Sequence, residues 1–352
     1  MGIEFVTVAT DGGTWTAFEK VSVKRQFSHA AGSFTLQIAA EVGGPATFWT
    51  FAPGTFISIF ANGDLLLAAY VDRYQPKIEG HSHAGVLVSG RSKGQDFIDS
   101  AALHPTGEFK NKTPAEIGQL LDQFGVGIST DQTLDKVPVY RITPGETAFR
   151  AIEKLCRSQG VWCSHKADGS LIISVAGQGR NGPLIEGQNI LRGEADHNWA
   201  NRHSKIIVRG QRPVGHGTQA MEIEAESHDE NLQRNRPALV IHDDDTDQQR
   251  AQKRADHRRD SEAGNSIKAH VTVQGFHDNG GALWQPGNLT FLDSEFLGLA
   301  QDMAIDGVEF TQSRHEGSLT HLSLVDPRAL GAKSGRKGGK SNKAWASAAG
   351  ED

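Results

Sequence analysis

Cys156, Cys163 and His165 are of the residue types that hold transition metals, and they lie close together in the chain. A structural zinc site needs a closely spaced cysteine pair and a full tetrahedral ligand set, and no fourth ligand stands nearby. Cys156 also falls on the apolar stripe of a helix, which makes it a core residue. His81-Ser82-His83 has two imidazoles at strand-edge spacing but no neighbouring carboxylates, and reads as a solvated loop. Asp243, Asp245 and Asp247 match the opening ligands of an EF-hand loop, but Gln248 stands where glycine is required and Arg254 where the bidentate glutamate belongs. That acidic run reads better as the N-terminus of a helix, where negative charge meets the positive end of the dipole.

Gly177-Gln178-Gly179-Arg180-Asn181-Gly182 has the form G-x-G-x-x-G and follows a strand. A dinucleotide site needs a helix to open at once so that its N-terminus holds the pyrophosphate. Here Pro183 and then Gly187 follow, with no helical stripe, so the segment reads as an inter-domain loop. G-x-S-x-G, H-E-x-x-H and P-loop patterns are absent. With 42 acidic residues, accidental carboxylate pairs carry no information about glycoside hydrolysis. The six tryptophans (15, 49, 162, 199, 284 and 345) are scattered without a repeat, which suits core or interface anchors better than a sugar-stacking platform. Arg91-Ser92-Lys93 forms a small basic patch. The expectation is therefore no catalytic residues, no metal ligands and no cofactor.

The elements that would carry these residues are mostly strands. Val21–Lys24 and Ser33–Ile38 alternate apolar and polar residues, so one face of each meets a core. Thr55–Phe60 and Leu65–Val71 flank Asn62-Gly63, a pair that tolerates the positive φ of a tight hairpin. Val86–Gly90 adds a further strand. The period then changes. Thr113-Pro114-Ala115-Glu116 has the form of a capped helix start, followed by Ile117, Leu120, Leu121 and Phe124 on one stripe and Gly125 as the stop. Thr143-Pro144-Gly145-Glu146 repeats that signal, with Phe149, Ile152, Leu155 and Cys156 as its stripe and Gly160 as its stop. A hairpin turning at Asp168-Gly169 completes an α/β insert. Strand patterns return at 206–208, 221–225, 270–273, 289–292, 305–311 and 319–325, interrupted by a helix from about 246 to 263 that is polar nearly all round.

These patterns give a mainly β, α+β chain: a small β-barrel over 1–105, a compact α/β insert over 106–178, a second β-barrel with the charged helix over 179–330, and a tail over 331–352. The tail is Gly, Ser, Ala and Lys and is expected to be disordered. Lys and Arg total 36 against 42 Asp and Glu, so the net charge is −6. That argues against nucleic-acid binding by bulk charge. Two cysteines cannot make a disulfide framework and suit a reducing compartment. The longest apolar run, Leu65–Val71, is far short of a bilayer span, and no secretory signal opens the chain, so a soluble protein is expected.

Several segments together resemble the baseplate hub proteins of contractile-tailed phages, the Mu-like tail protein family. They are Val86–Ser92 with Asp96 and Asp99-Ser100, Lys112–Ile117, Val271–Phe276, Leu283–Leu289 with Asp293, and Leu319–Pro327. The resemblance implies a homotrimer in which two similar barrels per chain build a pseudo-sixfold ring around a central channel. That ring would adapt a threefold central spike protein to the sixfold tail, meeting the tail tube or distal tube protein, the tape-measure protein and other baseplate proteins. It implies no enzymatic activity, no membrane binding by itself, and a place in the virion's tail baseplate after synthesis and assembly in the host cytoplasm. The alternative is a β-rich glycan-binding or glycan-cleaving tail accessory protein. A third reading, a nucleic-acid adaptor, rests only on the basic tail.

Overall fold

The computed structural model describes residues 4–40, 50–79, 83–210, 223–242 and 248–333. The N-terminal unit is all strand: β1 (Val6–Thr10), β2 (Gly13–Trp15), β3 (Lys20–Gln26), β4 (Ser33–Ala40), β5 (Phe56–Ala61), β6 (Asp64–Glu79) and β7 (His83–Ser92). Its expected alternation holds, since Val21 and Val23, Phe34 and Leu36, and Ile57 and Ile59 are all buried while their neighbours face outward. Asn62 and Gly63 turn the β5–β6 hairpin with φ of 51° and 96°, the left-handed pair that matches strand twist.

The insert holds α1 (Gly94–Asp99), β8 (Glu108–Lys112), α2 (Pro114–Leu121), β9 (Ile128–Thr130), β10 (Val137–Arg141), α3 (Ala148–Ser158), β11 (Trp162–His165) and β12 (Leu171–Ser174). Its core gathers Phe97, Ile117, Leu121, Ile152, Leu155 and Ile173, with Ala30 reaching in from the first unit. Two expectations need correction. Helix α2 ends at Leu121, before Gly125, because the Asp122 carboxylate takes the N–H groups of Phe124, Val126 and Gly127; Leu120, counted on the stripe, is exposed. Thr143–Glu146 is a turn, not a helix start: α3 begins at Ala148, capped by Thr147.

The C-terminal unit holds β13 (Leu184–Ile185), β14 (Arg192–His197), β15 (Lys205–Gly210), β16 (Ile223–His228), β17 (Pro237–His242), α4 (Gln248–Asn265), β18 (Ile267–Gln274), β19 (Leu289–Ser294), β20 (Leu299–Ser313), β21 (Gly317–Val325) and a 3-10 turn at Pro327–Leu330. Helix α4 is not polar all round. Ala251, Ala255, Ala263 and Gly264 form a narrow buried stripe, of which the two N-terminal alanines join Ile206, Val208, Ile223 and Ala225 over the β15–β17 sheet. A side chain at Gly264 would meet the backbone of Arg328 and Ala329, so the helix lies directly on the 3-10 turn. Among the described residues, no helix is long and apolar enough to cross a membrane.

The two strand sets are not two closed barrels. Among the described residues most of their strands form one sheet in the order β14-β18-β21-β20-β3-β4-β7-β6-β5-β1-β2, with β19 and β13 branching from β20, while β16-β15-β17 make a separate sheet. Strand β20 makes the junction by its length. Leu299–Ala304 pairs with β19, and Gly307–Ser313, beyond a bulge, pairs with β3. One core therefore runs through both units, from Val8 and Leu66 to Val271, Trp284 and Leu324. The tail beyond Lys333 lies outside the described residues.

Candidate interaction surfaces

The sequence-marked chemistry resolves into structure. Cys156 on α3 and Cys163 on β11 are buried free thiols, and burial pushes the Cys163 thiol up to about 12, far from reactive. His165 is buried with Nδ1 2.8 Å from the carbonyl of His29, and burial lowers its pKa to about 4, so the ring is neutral. Among the described residues, no cluster of His, Cys, Asp and Glu could hold a metal ion. His81 and Asp243, Asp245 and Asp247 lie outside the described residues. Arg91 is not a free basic patch: its guanidinium is 2.6 Å from Asp72 and 3.4 Å from Asp99, and the neighbouring Ser92 is buried.

The G-x-G-x-x-G segment is a strap. Arg180 makes a two-pronged pair with buried Asp302 at 2.8 and 2.9 Å. Asn181 donates to Asp278 and to the carbonyl of Leu283, and its own carbonyl oxygen accepts from Asn288 and from the N–H of Gln285. Gly179 lacks a side chain because Asn288 occupies that space. These bonds tie the chain leaving the insert to the loop before β19, and β13, not a helix, follows.

The sheet edges offer candidate surfaces. The long sheet ends in two strands with an unpaired side among the described residues, β2 and β14. Such edges are templates for pairing with another chain. Trp15 of β2 is exposed, as is Phe5 just before β1; beside β14 stand exposed Leu191 and Phe296, the latter 88% exposed at the β19–β20 turn. Exposed large apolar groups next to an edge that is unpaired among the described residues suit contact with another chain. In the smaller sheet, α4 covers the β16 edge, with Gln248 and Gln252 donating to the carbonyls of Glu224 and Glu226. The opposite edge, β17, keeps Leu239 and Ile241 exposed.

The outward face across the β3–β20 junction is different in kind. Ser22 donates to Glu309, and His321 sits between the hydroxyls of Thr272 and Thr311 at 3.0 and 3.1 Å. That face is polar and suits water; the edges suit protein. Sequence reading missed the β14 edge for identifiable reasons. The strand Arg192–His197 lacks apolar alternation, and Phe296 sits in a turn where no period exists.

Comparison with known proteins agrees with the resemblance found in the sequence. Residues 5–92 match the family described as Mu phage baseplate assembly protein GpP-like, N-terminal, and residues 94–204 match baseplate hub protein gp44-like, second domain. The baseplate hub protein gp44 of Escherichia phage Mu is 26% identical over 356 aligned residues, covering 96% of this chain and 93% of that protein. The fold is shared with the 43 kDa tail protein of prophage MuSo2 from Shewanella oneidensis, with a TM-score of 0.83 at 24% identity over 93% of this chain and 99% of that one. It is shared also with a tail protein from Neisseria meningitidis MC58, with a TM-score of 0.80 at 20% identity over 94% and 98%. Adjoining family matches through the first unit and the insert, and a relative aligned over nearly the whole length, lead to one conclusion: this chain belongs to the Mu-like baseplate hub proteins, structural components of the phage tail baseplate.

Proposed function

We propose that the chain works as a homotrimeric hub, in which the two β units of each copy form a pseudo-sixfold ring that adapts a threefold central spike to the sixfold tail tube around a channel. The observation that carries this reading is the single sheet with unlike free ends. A contact between the β14 edge of one copy and the β2 edge of the next is heterologous, and heterologous contacts make rings where the rotation between copies closes. Ring closure then comes between copies, where it removes the open edges that would otherwise invite aggregation. The chain divides into a first β unit over 1–105, an insert over 106–178 and a second β unit over 179–330. The spike protein lies on one side of the ring, and the tube or distal tube protein and the tape-measure protein on the other. The role is mechanical: symmetry and contact area do the work, with obligate interfaces of this kind burying on the order of 2,000 Å² or more.

The test is solution mass by light scattering. Three copies of 38.0 kDa should give about 114 kDa. Phe296→Asp should reduce that mass to one copy while leaving the circular dichroism spectrum unchanged, since Phe296 is exposed and contributes to no core. A dimer, or a monomer that persists when the spike protein is added, overturns the reading.

A further inference from the structure

We infer that Glu4, His277 and Asp64 form a pH-dependent latch that fixes the outermost strands of the first β unit to the second unit of the same chain. His277 bridges the units with both ring nitrogens: Nδ1 lies 3.1 Å from Glu4 Oε1, just before β1, and Nε2 lies 2.9 Å from Asp64 Oδ2, at the β5–β6 turn. Two carboxylates facing the two nitrogens of one imidazole are both satisfied only when the ring carries two protons. The ring is three-quarters or more shielded and the Glu4 side chain is 7% exposed, so this is a built contact and not a surface encounter.

The rest of the site holds Glu4 in place for that purpose. The N–H of Phe276 donates to Glu4 Oε1 at 2.8 Å, and the Asn62 amide donates to Oε2 at 2.6 Å. Gln312 on β20 donates to the Glu4 carbonyl at 2.9 Å. Glu4 and His277 line a groove whose other charged groups are Glu19, Lys20, Asp278, Arg314, His315 and Glu316. Asp278 takes the N–H groups of Gly182, Gly280 and Ala282, while Arg314, His315 and Glu316 sit at the β20–β21 turn on the rim of the same groove.

Burial works against the charged ring, but the hydrogen bonds to Glu4 and Asp64 and their charges outweigh it, so the His277 pKa is raised above the usual 6.5. With a raised folded pKa, the latch is complete below 6.5 and is lost as pH rises through the folded value. Losing it removes one of the ring's two donated contacts and loosens the segment that leads into β1, which the Phe276, Asn62 and Gln312 bonds still hold, and β1 carries the edge strand β2. Its consequence for assembly rests on the proposed contact between sheet edges; the latch itself does not.

Hydrogen exchange of residues 4–15 tests it, read as protection factors corrected for intrinsic rates. Wild-type protection should fall by about tenfold or more between about pH 6 and about pH 9. His277→Gln should show the low value at both, and Asp64→Asn, at a more exposed position, should keep part of the dependence. Wild-type protection that does not change with pH, or a His277→Gln variant as protected as wild type at the lower pH, overturns the latch. Mass measured in the same buffers separates the two readings. A protein that never trimerises but shows the exchange pattern loses the ring and keeps the latch; a trimer with no exchange pattern keeps the ring and loses the latch.

Discussion

Arg202 and Asp229 stand 27 residues apart at the base of the small sheet, with side chains 7% and 4% exposed. The guanidinium donates twice, at 2.5 and 3.0 Å, and lies over the Trp199 ring at 5.0 Å. Burial alone would raise the Asp229 pKa; the Arg202 hydrogen bonds and charge reverse this and hold it below the usual carboxylate value. Removing one member of a buried pair leaves the other as an uncompensated charge, which costs about 3–5 kcal/mol. Arg202→Ala should therefore lower urea-unfolding stability by about that much. Because the folded pKa of Asp229 is depressed, the pair's contribution is present above the usual carboxylate range and is lost as pH falls through the folded value. The wild-type and variant stabilities should converge in acid. Nothing in the sequence announces this pair, because a buried ion pair has no spacing rule; it exists only once the chain has folded.

Among the elements, two signals of the same Thr-Pro-x-Glu form had different outcomes. At Thr113-Pro114-Ala115-Glu116 the Thr113 hydroxyl accepts from the Glu116 N–H at 3.2 Å, and the Glu116 carboxylate accepts from the Thr113 N–H at 2.8 Å, a complete capping box. At Thr143-Pro144-Gly145-Glu146 the φ of Gly145 is 84°, which no helix can use, and the Glu146 carboxylate accepts from the Tyr140 hydroxyl as well as from the Thr143 N–H. Gly145 lies within the four residues and was visible in the sequence; the Tyr140 hydroxyl is provided by another element and was not. Thr113→Ala should cost about 1 kcal/mol in the stability of the insert. Thr143 contributes only backbone groups, its N–H to the Glu146 carboxylate and its carbonyl to the Glu146 N–H, so Thr143→Ala should cost a few tenths of a kcal/mol, within the range of ordinary surface changes. Equal losses in parallel denaturation curves would contradict the distinction. The charged helix teaches the same lesson from the other side. Its polar composition was legible, but the alanine stripe that docks it was not, because small residues give little hydrophobic signal.

At the scale of the whole molecule, alternation showed which side of each strand is buried but not which strand lies beside it. The decisive pairing, β3 with β20, joins Val23 to Phe310 across nearly the full chain and past an insert with its own core. Two β units were therefore readable in the sequence, and their fusion into one sheet was not. The fusion makes a specific claim about cooperativity. Phe310 is fully buried at the junction, 5.1 Å from the Phe276 ring, and its core continues into both units. Phe310→Ala should cost about 3–5 kcal/mol through lost burial and the cavity left behind. Since one core serves both units, the slowest-exchanging amides of β6 and β7 should lose as much protection as those of β18 and β21. The amides of α3 and β12, packed on the separate core of the insert, should change less. If only β18 and β21 respond, the two units are independent bodies that happen to touch. A hub built from such bodies would have a hinge at every junction. One whose units unfold together can carry load through the proposed ring without yielding between them.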